Sequence, residues 1–190
     1  MQFDTVRLDG DGPVRHLVLD RPTVHNAVNA QLIDDVHRAC LAVEADPAIR
    51  VVILRGDGPS FCSGADLKEP ARTIAGTMLH SKNGARMYDT LLHLNAVTIA
   101  ACHGHLIGGG GVLPAACDFR IGAPSVQLCL NEVSIGVNLT WHSLPALVDL
   151  VGGARAKEML ILGRTYGAAK LHEWGFFTEV VDDEAELVPA

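Results

Sequence analysis

Apolar positions along the chain fall into two alternating patterns: short β-branched runs, and longer stretches with the three-four spacing of a helix. Val14–Leu19 predicts a strand that Asp20-Arg21-Pro22 breaks. Asn29 is a good N-cap for a helix running to about Asp46, with Leu32, Ile33, Val36, Ala39, Cys40 and Val43 on one face. Pro47 ends it, and Val51–Leu54 predicts a buried strand. A loop follows from Gly56 to Glu69, then a helix-like region from Pro70 to Asn95, interrupted at Gly76 and Gly84. Val97–Cys102 predicts another strand, and Gly108–Gly111 opens a helix ending near Cys117. Short strands are expected at Phe119–Ile121 and Val126–Cys129, helices at Leu144–Val151, Ala154–Leu162 and Ala168–Trp174, and a last strand at Glu179–Val181. Strands and helices alternating at this spacing indicate one α/β domain.

Composition narrows the function. With 48% hydrophobic and 19% charged residues, 190 residues suffice for one substantial core. No run approaches the roughly 20 apolar residues of a membrane span. The start carries Asp4 and no apolar h-region, so a cytoplasmic protein without a secretory signal is expected. Five cysteines, odd in number and without C-x-x-C spacing, argue against a disulfide framework or zinc knuckle. Nine histidines form no H-x-x-x-H pair, so no metal site is expected. A net charge of −7 without a basic block disfavours nucleic acid as a partner.

Two segments carry candidate chemistry. One is the loop Phe61-Cys62-Ser63-Gly64-Ala65-Asp66-Leu67-Lys68 after the second strand. The other is the strand Val97–Cys102 leading into His103-Gly104-His105-Leu106-Ile107 and four glycines, Gly108–Gly111. Consecutive glycines are entropically costly and allow the main chain to approach a ligand closely. Before a helix they aim free N–H groups at one point, which suits an anion or a developing oxyanion. Tight helix packing is the lesser alternative for such a run on its own. No Lys-Ser/Thr follows, so this is no Walker loop, and the dinucleotide fingerprint lacks its acidic strand end.

Together these pieces resemble the crotonase family, the enoyl-CoA hydratase/isomerases. The matching residues are Leu19-Asp20-Arg21-Pro22 with Asn26-Ala27, Val51–Leu54, Phe61–Lys68, Gly104, Gly108-Gly109-Gly110, Cys117-Asp118, Glu132, Gly136 and Ala154–Glu158. The resemblance implies a crotonase-like (ClpP/crotonase) spiral of repeated β-β-α units that assembles as a homotrimer or hexamer. It implies an acyl-CoA thioester as substrate, with coenzyme A part of that substrate and no separate cofactor. The backbone N–H groups of Ala65 and Gly109 would form an oxyanion hole for the thioester enolate. His25, Asp66, Leu67, Lys68, Gly108, Gly110 and Val112 would lie along the substrate. Lys68 is a candidate partner for a CoA phosphate, with an ordinary solvated lysine as an equal reading. Val24-His25 replaces the family's usual basic pair, so His25 is only a partial substitute.

Hydratases of the family use two glutamates. Here the first position is Val112 and the second is Glu132. A lone acid suits proton shuttling, so the resemblance points to double-bond isomerisation with Glu132 as acid and base. Dienoyl-CoA isomerases add a further acid where this chain has Thr140. Hydration, decarboxylation, thioester hydrolysis and non-catalytic acyl-CoA binding remain as alternatives. His142 is a possible secondary protic group, His103 a structural hydrogen-bonding residue, and Ser63 has no G-x-S-x-G elbow around it. Family members line the acyl pocket with the region of Ala71–Asn95, where Met78, Leu79, Met87, Tyr88, Leu91 and Leu92 also read as ordinary core. Relative to the family, residues 1–190 are expected to lack the C-terminal helices that cover the site and mediate trimer contacts.

Overall fold

The computed structural model describes residues 2–70 and 73–187. Its strands are β1 (Val6–Asp9), β2 (Val14–Leu19), β3 (Val51–Gly56), β4 (Val97–Cys102), β5 (His105–Ile107), β6 (Phe119–Gly122), β7 (Gln127–Cys129), β8 (Thr165–Gly167) and β9 (Glu179–Val180). The helices are α1 (Ala30–Glu44), α2 (Ile74–Leu92), α3 (Gly109–Val112), α4 (Leu144–Val151), α5 (Gly153–Leu162) and α6 (Ala168–Glu173). A six-stranded sheet has the order β1-β2-β3-β4-β6-β9, and a three-stranded sheet the order β5-β7-β8.

The two sheets are wound together. After β4 the chain steps to β5 in the small sheet, and after β6 it steps to β7. After β3 it makes the same step more weakly, through a single parallel bridge between Cys62 and Leu106. The chain thus climbs in successive turns, each laying one strand in the large sheet and one segment against the small one. From β2 to β9 the large sheet is parallel, and only β1 is antiparallel.

Local chemistry explains the boundaries. The Asn29 side chain accepts from the Leu32 N–H and starts α1, and the Thr73 side chain accepts from the Gly76 N–H and starts α2. Alternation along β3 buries Val52 and Leu54, while α1 buries the apolar face expected of it. Each such side chain contributes about 1.5–3 kcal/mol when fully buried. Cys40, Cys62, Cys102 and Cys117 are free thiols within the core; Cys129, also free, is half-buried.

Four elements differ from the sequence reading. The helix after the glycines stops at Val112 and tightens into a 3-10 turn at Leu113–Ala116. Pro114 has no amide hydrogen to continue the α-helical ladder. The edge strands β1 and β8, with β5, escape the pattern because three or four residues are too few to show a period. Among the described residues no helix is long and apolar enough to cross a membrane, and no three His, Cys, Asp or Glu side chains converge as metal ligands.

Candidate active site

The site begins where two loops are stitched together. Cys62 N–H donates to His105 O at 3.0 Å, and Ile107 N–H donates to Cys62 O at 3.0 Å. A Cβ on Gly110 would stand 2.3 Å from Cys62 O, so only glycine permits this approach. Ala65 is further pinned by a parallel bridge to Val28, made by Val28 N–H to Gly64 O at 2.7 Å and Asp66 N–H to Val28 O at 2.9 Å. That pairing uses the Gly64 carbonyl and the Asp66 N–H and leaves the Ala65 N–H unspent. Gly109 is the first residue of α3, where a helical N–H has no partner within its own helix. Among the described residues neither amide donates to an acceptor in the chain.

Ala65 and Gly109 line one cavity of about 300 Å³, together with Leu67, Gly108, Val112 and Glu132. Glu132 opens the 3-10 turn Glu132–Ile135 and is the only carboxylate among the described residues of that wall. Its Oε2 is buried without a hydrogen-bond partner. Burial raises its pKa above the ordinary glutamate range, against a smaller opposing effect from its own backbone N–H. Gly108, at φ 50° and ψ −122°, makes room for it: a Cβ there would lie 2.9 Å from Glu132 Oε1. A poorly solvated carboxylate lining the same mostly apolar cavity as two idle N–H groups can take a proton while charge moves to an oxygen those groups hold.

The structure separates the other sequence-derived residues by role. Val112 is fully buried and presents only methyl groups to the cavity. Asp66 does not line it. Its carboxylate accepts from the Arg21 guanidinium at 2.9 Å and from the Lys68 N–H at 3.1 Å. Burial alone would raise the Asp66 pKa, and these contacts hold it below the usual carboxylate range. Arg21 also donates to Ala27 O, while buried Asn26 donates to Asp57 O and Ser60 O. The Arg21, Asn26 and Asp66 side chains therefore frame the loop that carries Ala65. Asp66 was expected along the substrate; its carboxylate is committed to that frame instead. Gly110 is likewise a packing position rather than a cavity wall. Lys68 is exposed, and His25 donates or accepts through Nδ1 with Ser60 Oγ at 3.1 Å; neither lines the cavity. His103 shares a hydrogen bond with Gly58 O at 2.9 Å, the structural role its position suggested.

The model of the enoyl-CoA hydratase/isomerase family matches residues 10–189. The chain belongs to that family. An enoyl-CoA isomerase/hydratase of Mycosarcoma maydis is 35% identical over 178 residues, covering 88% of this chain and 65% of the relative. The crystal structure of an enoyl-CoA hydratase from Bacillus anthracis superposes with a TM-score of 0.92 at 30% identity, covering 97% of this chain and 72% of that one. A Thermobifida fusca protein described among the enoyl-CoA hydratases, solved in complex with CoA, gives 0.86 at 31% identity, covering 96% and 74%. The chain thus spans about two thirds to three quarters of the proteins it matches, and its fold is the crotonase fold.

Two features of this enoyl-CoA hydratase/isomerase site escaped the sequence. Trp141 is buried and lies over Gly109: a Cβ on Gly109 would be 2.7 Å from the indole ring, and one on Gly84 would be 1.9 Å from its Nε1. The glycine that interrupts α2 is therefore the seat of the tryptophan that backs the free amide. Trp141 and His142 hold φ of 63° and 58°, costing roughly 1–3 kcal/mol each. The second feature is the α2 face toward the cavity, which is polar: Thr77, His80 and Ser81. Met87, Tyr88 and Leu91 point into the core, while Met78 and Leu79 are exposed. Gly84 in an otherwise regular helix was the one available signal.

Proposed function

We propose that this chain catalyses enoyl-CoA double-bond isomerisation, moving a 3,4 double bond to the 2,3 position. The thioester carbonyl oxygen accepts from the Ala65 and Gly109 N–H groups. The Glu132 carboxylate removes a proton from C2, and the electron pair delocalises onto that oxygen as a dienolate. The same carboxyl group returns the proton to C4, so the double bond moves and no atom is gained or lost. Preorganised donors at the developing charge contribute several kcal/mol, about 3–4 per donor in well-studied cases. One acid suffices, and the chemistry requires no separate cofactor.

The observation that carries this reading is the pairing of Glu132 with Val112 on one wall. Hydration needs a second group to orient and deprotonate water, and Val112 can do neither. Hydration stays a second reading because the M. maydis relative carries both activities in its name. CoA bound in the T. fusca structure supports a CoA thioester as ligand here. A homotrimer or hexamer belongs to the same proposal and rests on family resemblance.

The test pairs two assays. With 3-enoyl-CoA, conjugated 2-enoyl-CoA should accumulate; with 2-enoyl-CoA in water, little should be consumed. Glu132→Gln should slow the first reaction by about 10²–10⁴-fold. Consumption of 2-enoyl-CoA faster than its formation would replace isomerisation with hydration. Unchanged α-proton exchange in D₂O in the variant would remove Glu132 from the mechanism.

A further inference from the structure

The cavity beside Glu132 does not end at Trp141. A second cavity of about 710 Å³ shares Ser81, Asn138, Leu139, Thr140 and Trp141 with it and continues along α2. Lys82 and Arg86, one helical turn apart, stand on its wall, which also includes His142 and Ser143. The axial rise from Ser81, which lines both cavities, to Arg86 is about 7.5 Å, so the cations stand away from the shared wall. Asp89 is the only acid lining this cavity, and it pairs with His93 at 3.3 Å. Among the described residues, neither Lys82 nor Arg86 pairs with a carboxylate.

The two cavities differ in character. Around Glu132 the wall is largely apolar, with Ile107, Val112, Ile135 and Val137. Past Trp141 the wall adds two cations, Lys82 and Arg86, to the Asn138 and Thr140 that line both cavities. A methyl-ended chain entering there would leave both cations without a partner. A carboxylate would gain charge-assisted hydrogen bonds from Arg86 and Lys82. We propose that this groove holds the far end of the acyl group and selects acyl-CoA thioesters carrying a carboxylate there. The proposal rests on the acyl-CoA reading of the adjacent cavity. The chain's net charge of −7 opposes an added anion, so any preference must arise from these local cations.

Calorimetric titration with two saturated acyl-CoA thioesters of equal length, one ending in a carboxylate and one in a methyl group, tests this without requiring turnover. The carboxylate-ended thioester should bind about three- to tenfold more tightly at low salt, a range discounted for the exposure of the cations. Arg86→Ala and Lys82→Ala should each reduce that preference, and the double variant should erase it, while circular dichroism remains unchanged. Equal binding of both thioesters, or tighter binding of the methyl-ended one, overturns the proposal and leaves the acyl-CoA reading intact. An equal loss for both thioesters in the double variant also overturns it. If neither thioester binds the unmutated protein, the acyl-CoA reading fails as well.

Discussion

Cys62 and Leu106 meet as a single parallel bridge, and three residues beyond each lies an N–H that no acceptor among the described residues takes, at Ala65 and at Gly109. The bridge sets the register of the two loops, so it sets the spacing of the two donors. Gly110 limits how closely the loops approach.

Gly110→Ala should therefore act on catalysis more than on folding. Its Cβ meets backbone at Cys62 O and cannot be relieved by a rotamer change. A displacement near 1 Å costs on the order of 100-fold in rate. The expected outcome is a roughly hundredfold fall in kcat for 3-enoyl-CoA, with the far-ultraviolet circular dichroism retained.

Trp141→Ala should unseat the wall behind Gly109. A buried tryptophan truncated to alanine costs about 3–5 kcal/mol. At about 2–4 °C per kcal/mol for a chain of this size, Tm should fall by roughly 10 °C in a calorimetric scan. Trp141→Phe should recover part of that loss.

Glu132→Gln should stabilise the protein while disabling it. Burial raises the folded-state pKa of Glu132 above its ordinary 4.5, so the native state binds the proton more tightly than the unfolded chain. Stability from this group falls as pH rises from the unfolded value through the raised folded value. The penalty is complete above that window, so the variant should show a higher Tm at neutral pH. The gain should vanish below about pH 4, where both states are protonated. The wild-type rate at low pH should follow ionisation of the same group and rise through a pKa above 4.5.

Asp35 should show the opposite sign. It is buried, and burial alone would raise its pKa. Hydrogen bonds from Thr5 Oγ1 at 2.8 Å and from the Asp4 and Thr5 N–H groups at 3.0 Å hold it below the ordinary 3.8. Its contribution is present above the unfolded value and lost as pH falls through the lower folded one. Asp35→Ala leaves buried donors on the Asp4–Thr5 segment unpaired and should cost about 2–4 kcal/mol at pH 7, read by urea denaturation. The deficit relative to wild type should shrink under acid.

Residues close in the chain wrote their own part of this protein plainly. Asn29 capping α1, Val14–Leu19 and Val97–Cys102 as strands, and Leu144–Val151 as a helix are local consequences of side-chain period, capping and branching. The four glycines announced a close approach of backbone, and the single glutamate with Val112 announced a reduced acid-base set. The tertiary structure alone decided which close approach each glycine serves: Gly108 admits Glu132, Gly110 admits Cys62, and Gly84 and Gly109 admit Trp141. It alone committed Asp66 to Arg21 and turned a polar face of α2 to the cavity. The physical reason is one of range. Periodicity records how much of a residue is buried, whereas the partner it meets depends on the register of segments tens of residues apart, and that register is fixed only when the turns of the spiral close on one another.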